Sequence, residues 1–120
     1  MVPKSTPAGF WQSPHLDLFK PGRIATVRLE SSTRSDLVVF VRVVISELDA
    51  KGHFKRMQSA ESFEVLPALA FDVAIALTRV LLRRGYGRRK VPRSFGPLQK
   101  WAKDVLRLAR REEEQGHLFL

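Results

Sequence analysis

The chain has 120 residues, 44% of them hydrophobic, no cysteine and a formal net charge of +9. The hydrophobic content suffices for one domain core and excludes wholesale disorder. The lack of cysteine excludes disulfides, thiol nucleophiles and cysteine-based zinc sites. The excess of cations predicts a polyanionic partner, most often nucleic acid and less often an anionic membrane surface.

The sequence shows no signal peptide and no cluster of histidines, and these two features bear on cellular location and on cofactors. Residues 1–14 contain no apolar signal-peptide core, so we expect an intracellular protein, cytoplasmic or nucleoid-associated. The three histidines stand far apart in the sequence. We therefore expect no metal centre and no cofactor.

The first half of the chain predicts a flexible arm and then strands. Residues 1–21 hold four of the seven prolines, a composition typical of an arm. Residues 22–31 alternate, with Ala25, Val27 and Leu29 on one side, and predict the first strand. Residues 37–48 are dense in valine and isoleucine and predict a long second strand.

A turn, two shorter strands and a helix follow. Residues 49–52 predict a hairpin turn in which Gly52 takes a positive φ. Residues 53–59 and 62–66 predict the third and fourth strands. Pro67 suits the first turn of a helix, which we expect to run over residues 67–84 and to stop at Gly85.

This helix is apolar on nearly all sides. Residues 66–82 are too few to span a bilayer comfortably, and Asp72 and Arg79 are costly in hydrocarbon. The alternative is a helix buried on two faces. We therefore expect one face on its own sheet and another on a second copy of the chain. The two apolar stripes are Leu69, Val73, Leu77 and Val80, and Phe71, Ile75, Thr78 and Leu82.

The last third of the chain is basic and then helical. Seven arginines and lysines and no acid lie between Arg79 and Arg93, so residues 85–96 predict a basic linker. Residues 97–114 have helical spacing, and residues 115–120 form a tail. The predicted fold class is α+β: a four-stranded curved antiparallel sheet, a long apolar helix and a C-terminal helix, in a homodimer.

Four features carry a resemblance to a known family: Gly22-Arg23 before the first strand, Glu47-Leu48-Asp49 at the end of the second, the turn with Gly52, and Phe63-Glu64-Val65-Leu66-Pro67 before the helix. Over roughly residues 22–84 the chain resembles the positive cofactor four family of transcriptional coactivators, with its bacterial and phage relatives. The resemblance implies a homodimer whose sheets form two curved channels for unpaired strands. The Whirly and Pur-alpha proteins have a related architecture and also bind single strands.

Single-strand binding without sequence preference needs cations for phosphates and flat side chains for bases. We expect a stacking platform on one sheet face, made by Arg28, Phe40, Arg42, Phe54 and Arg56. Further predicted contacts are the cations Arg23, Lys55, Arg83, Arg84, Arg88, Arg89 and Lys90. The predicted function is single-stranded DNA binding in replication, recombination or transcription, without catalysis.

Two alternatives remain open for these residues. The phenylalanines could belong to the core while the arginines are solvated. The linker could also bind duplex DNA or RNA, since phosphate contacts carry no sequence information.

The tail suggests an adaptor function as the second hypothesis. Gln115, Leu118 and Phe119 resemble the peptide by which bacterial proteins dock on the DNA polymerase sliding clamp. Residues 15–19, His-Leu-Asp-Leu-Phe, fit the same pattern with histidine in place of glutamine. In each case the peptide could instead fold back onto the domain.

A nuclease is the third hypothesis. Asp36 followed by Asp49-Ala50-Lys51 has the spacing of the restriction-type nuclease signature, in which carboxylates bind Mg²⁺ and lysine helps to activate water. Asp49-Ala50-Lys51-Gly52 is also ordinary turn chemistry. We favour the turn, and therefore a binding module.

Overall fold

The structure is a computed structural model that describes residues 13–32, 35–92 and 95–118, without the side chains of residues 116–118. Its elements in chain order are β1 (Leu16–Lys20), β2 (Arg23–Ser31), β3 (Val39–Leu48), β4 (Phe54–Val65), α1 (Pro67–Arg83) and α2 (Lys100–Leu118). The strands form one antiparallel sheet in the order β1-β2-β3-β4. The predicted α+β class with a four-stranded antiparallel sheet and two helices is confirmed.

The four strands are not the four that we predicted. β1 lies within the predicted arm, where Leu16 pairs with Val27 and Leu18 with Ala25. Both leucines are fully buried, and this burial outweighs the surrounding prolines. The two short strands predicted over residues 53–66 are one continuous strand of 12 residues, β4.

The core lies between one face of the sheet and the two helices. Ala25, Val27 and Leu29 of β2 face inward together, as predicted, and join Val39 and Val41 of β3. This inner face packs against a strip of small and branched residues on α1: Ala70, Ala74, Ile75, Thr78 and Leu81. Because α1 lies over β2 and β3, β4 is exposed along most of its length.

Helix α2 packs against α1 through Ala102, Val105 and Ala109, all fully buried. It begins three residues later than predicted and extends through Gly116, into residues that we predicted as a tail. The cost of a glycine near a helix end, about 1 kcal/mol, is too small to stop a helix already stabilised by packing.

An ion cluster joins the exposed ends of the two helices. Arg79 Nε donates to Glu113 Oε1 over 2.8 Å, and Arg83 Nη2 lies 2.6 Å from the same oxygen. Arg79 Nη1 also donates to Glu112 Oε2 at 3.3 Å. Hydrogen bonds from Arg83 and then Arg79 lower the pKa of Glu113 to about 2. The cluster therefore fixes α2 against α1 at neutral pH.

Helix α1 leaves a second apolar stripe uncovered. Leu66, Leu69 and Val80 are 58%, 50% and 38% exposed, and Val73 and Leu77 between them are only partly buried. In the described part of the chain, no helix is long and apolar enough to span a bilayer. The helix does bury one face on its own sheet, whereas the second stripe has no cover within the described chain.

Candidate nucleic-acid interface

The outer face of the sheet, opposite α1, carries the predicted arginines of β2 and β3. Arg28 and Arg42 are register partners in the β2–β3 pairing, so their side chains lie beside each other on this face. Phe40 follows on the same side of β3 and is half-buried. These three members of the predicted platform are therefore brought together.

The two arginines differ in their hydrogen bonding. Arg28 Nε donates to Glu30 Oε1 at 2.6 Å, and its Nη1 lies 3.3 Å from His15 Nε2. Arg42 Nε is buried and has no hydrogen-bond partner among the described residues. Like charges placed directly opposite each other destabilise a sheet, and a buried donor without a partner adds to that cost. An anion bound between Arg28 and Arg42 would reduce the repulsion between the two charges and would accept a hydrogen bond from Arg42.

β-bulges in β4 correct the predicted placement of Arg56. The β3–β4 register shifts between Ile45 and Ser46 and again between Glu47 and Leu48. Each bulge adds a residue to one strand and changes which side chains share a face. Arg56 consequently lies opposite Glu47 on the inner side of the sheet, away from Arg42.

Glu47 accepts hydrogen bonds from the side chains of Arg56 and Gln58, which lie at the bulges. Arg56 Nε donates to Glu47 Oε2 at 2.6 Å, and Gln58 Nε2 donates to Glu47 Oε1 at 2.9 Å. The hydrogen bond from Arg56 lowers the pKa of Glu47 and raises that of Arg56. Arg56 is thus an ion-pair partner of β3 and does not belong to the platform.

The same bulges leave two large apolar side chains on the outer face. Phe54 lies opposite Leu48 and Met57 opposite Ser46. Phe54 is 65% exposed and Met57 is 56% exposed, so neither serves the core. Phe54 lies on the face where we predicted it, whereas Met57 was missed because no local pattern reveals a bulge.

The described part of the linker, residues 85–92 with 95 and 96, is packed against the sheet. Gly87 forms a two-way backbone bridge with Phe19 of β1, with N···O distances of 2.7 and 2.8 Å. The Phe95 ring meets the Phe19 ring edge-on at 4.9 Å. Pro92 packs against Gly52 in the β3–β4 turn. The linker therefore runs from the free edge of β1 to the β3–β4 turn, at the end of the sheet that holds both hairpin turns.

Two of the predicted phosphate contacts are occupied by internal partners. Arg88 Nη1 donates to the Asp17 carbonyl oxygen at 2.9 Å, the guanidinium lies 5.5 Å from the Phe19 ring centroid, and burial lowers its pKa. Arg83 is paired with Glu113. We therefore assign Arg88 and Arg83 to holding the linker and α2 in place.

The packed linker encloses a cationic groove, here called the linker groove, of about 1090 Å³. Among the described lining residues, Asp49 is the single carboxylate. The cations are Lys20, Lys51, Arg88, Arg89, Lys90 and Arg110. The sequence predicted Arg88, Arg89 and Lys90. It missed the other three because they come from a strand, a turn and a helix that only the tertiary fold brings together.

The remaining predicted cations lie outside this groove. Arg23, Lys55 and Arg84 are exposed, and their side chains form no ion pair or hydrogen bond with the described residues. They are accessible, but no structural feature gathers them into one site.

The two docking peptides have different outcomes. The hypothesis that residues 15–19 form an accessible docking peptide is wrong, because Leu16 and Leu18 are fully buried in β1 and Phe19 is 6% exposed. At the other end, Gln115 is exposed on α2. Phe119 lies outside the described residues, so the clamp-docking hypothesis for the tail stays a prediction.

The geometry of β3 separates the carboxylates of the nuclease hypothesis. Asp36 precedes this ten-residue strand and Asp49 follows it, which places them about 30 Å apart. Asp49 Oδ1 instead accepts hydrogen bonds from the backbone of Lys51 and His53, both at 2.9 Å. No group of three potential metal ligands occurs among the described residues. Asp36 and Asp49 cannot share a metal ion in this fold.

Comparison with family models, with curated proteins and with solved structures found no match for this chain. The resemblance to the positive cofactor four family therefore stays a prediction.

Proposed function

We propose that the protein binds single-stranded DNA on the outer face of its sheet and protects or presents unpaired DNA in replication, recombination or transcription. The observation that carries this proposal is the exposed pair Phe54 and Met57 on the same face as Arg28 and Arg42. The two side chains lie at one end of this face, and the arginines lie about 13–20 Å along β3 from them. Exposed aromatic and thioether side chains on a face that also carries arginines suit unpaired bases, whose flat faces stack on such groups.

A single strand fits this face better than a duplex does. Bases in a duplex are stacked on each other and offer no face to the sheet, whereas an unpaired base can lie on Phe54. A strand of several nucleotides can then run along the face to Phe40, about 26 Å away. The net charge of +9 supplies the electrostatic attraction that any nucleic acid needs. The face therefore favours unpaired strands, while the charge alone would not discriminate.

A titration of labelled single-stranded DNA with matched variants tests this proposal. Phe54→Ala should raise Kd roughly 5- to 150-fold, which corresponds to about 1–3 kcal/mol of stacking. Arg28→Ala with Arg42→Ala should also weaken binding. Arg56→Ala is the control, because Arg56 occupies the opposite face and is paired with Glu47. Equal effects of the outer-face variants and of Arg56→Ala would contradict the proposal.

We further propose that the protein is a homodimer joined through the uncovered stripe of α1. Leu66, Leu69 and Val80 are exposed beside the inner side of β4, where Phe63 and Val65 are only partly covered. A second copy fits because α1 is apolar on this side and each copy offers both a helix stripe and an uncovered strand. Such a self-complementary pair of surfaces is what a two-fold dimer requires.

A further inference from the structure

The outer face of the sheet is not where most of the free positive charge lies. Arg28 is paired with Glu30 at 2.6 Å, and Glu64 lies opposite Phe40 in the β3–β4 pairing. Asp17 on the same face accepts a hydrogen bond from Thr26. Carboxylates thus offset most of the positive charge of the face, although Arg42 itself has no ion pair. A strand whose bases stack there needs its phosphates to be neutralised by cations elsewhere.

A second groove runs along α2 and joins the linker groove. Both are lined by Arg88 and Arg110, so they are neighbours. The α2 groove adds three cations, Lys103, Arg107 and Arg111, and two carboxylates, Asp104 and Glu114. Together the two grooves hold nine cationic side chains and three carboxylates, a net charge of +6 among the described lining residues.

We propose that the two grooves form one phosphate track that binds the phosphodiester backbone of a nucleic-acid strand after it leaves the sheet. This inference rests on the proposed function for the identity of the strand. The track takes polyanionic chains as a class, because its cations come from four separate segments and contact backbone charge rather than bases.

The position of the track relative to the base platform supports this path. Lys51 lines the linker groove and lies in the turn just before Phe54, the first residue of β4. Pro92 packs against Gly52 in the same turn and brings Lys90 to this end of the sheet. A strand leaving Phe54 therefore meets Lys51 first, then the linker cations, and then Arg110 on α2.

The cations of this path are free to take phosphates. Lys51, Lys90 and Arg110 are exposed and form no ion pair or side-chain hydrogen bond with the described residues. Arg88, in contrast, is held by Asp17 and Gly96 carbonyl oxygens and serves as the wall between the two grooves. The first three are therefore the residues whose removal tests the track without disturbing the linker.

The salt dependence of binding measures phosphate contacts directly. For a single strand, log K falls with log salt concentration by roughly 0.7 per phosphate contact. Changing Lys51, Lys90 and Arg110 together to Gln should therefore reduce the magnitude of the slope by about 2. The charge-matched control changes Arg23, Lys55 and Arg84 to Gln. These exposed cations lie outside both grooves, so this variant should change the slope by less than half as much.

A second probe, inorganic polyphosphate, separates this inference from the proposed function. It should compete with single-stranded DNA for the unmodified protein, and the Lys51, Lys90 and Arg110 variant should bind it at least tenfold more weakly than the control variant does. If DNA binds but both variants lose the same slope, the track is refuted while the proposed function stands. If DNA does not bind while polyphosphate binding needs the three cations, the track stands and the proposed function fails.

Discussion

Substituting Gly52 tests whether the linker is fixed on the β3–β4 turn. Gly52 has φ +82°, and a Cβ built there would lie 2.7 Å from Pro92 Cβ. Gly22 is the matched control, because it has φ +74° in the other hairpin turn and its added Cβ would meet nothing within 4 Å. A side chain in the left-handed region costs about 1–2 kcal/mol, and overpacking adds about 1–3 kcal/mol.

We therefore expect Gly22→Ala to lower the free energy of unfolding by about 1 kcal/mol, and Gly52→Ala by about 2–4 kcal/mol. In thermal unfolding the difference should be several degrees in Tm, at about 4 °C per kcal/mol for a domain of this size. A double-mutant cycle of Gly52→Ala with Pro92→Gly should show a coupling of about 1 kcal/mol or more. Equal losses in the two alanine variants, with no coupling to Pro92, would refute the packed linker.

Three further predictions concern the helices and the tail. The pKa of Glu113 is lowered in the folded state, so its ion pairs stabilise the fold above pH about 4.5 and are lost as the pH falls towards about 2. Glu113→Gln should therefore have a lower free energy of unfolding at pH 7. Between these two pH values, its free energy of unfolding should change less with pH than that of the parent protein. Leu69→Lys should convert a dimer into a folded monomer in sedimentation velocity, with a lower Tm because association no longer stabilises the fold, and a monomeric parent protein would contradict the dimer. Deleting residues 115–120 should abolish capture by a bacterial sliding clamp at an unchanged Tm, whereas a Tm lower by several degrees would make the tail structural.

The sequence predicted the fold class and much of the core because both depend on local alternation. Ala25, Val27 and Leu29 share a face in the strand pattern and in the sheet. We did not predict β1, because Leu16 and Leu18 lie in a stretch of the chain with several prolines. These two leucines become part of the core only through the pairing of β1 with β2. The extension of α2 through Gly116 was not predicted for a related reason. Packing against α1 outweighs the low helix propensity of one glycine.

The site was predicted in part, and the errors have two physical causes. Bulges shift the face of a side chain without any mark in the local sequence, and they moved Arg56 to Glu47 and put Met57 beside Phe54 on the outer face. The second cause is that the fold brings together residues that are distant in the sequence. Lys20 and Arg110 lie far apart in the chain, and only the folded linker brings them to the same groove.

Binding of unpaired bases to the outer face can be tested by comparing a single strand with a duplex. The measurement is the fluorescence anisotropy of one labelled oligonucleotide, titrated with the protein at fixed salt concentration as a single strand and as a duplex. Because only the single strand can stack bases on Phe54, we expect its Kd to be lower by about tenfold or more. A duplex bound as tightly as the single strand would show that charge alone drives binding, and would contradict the account.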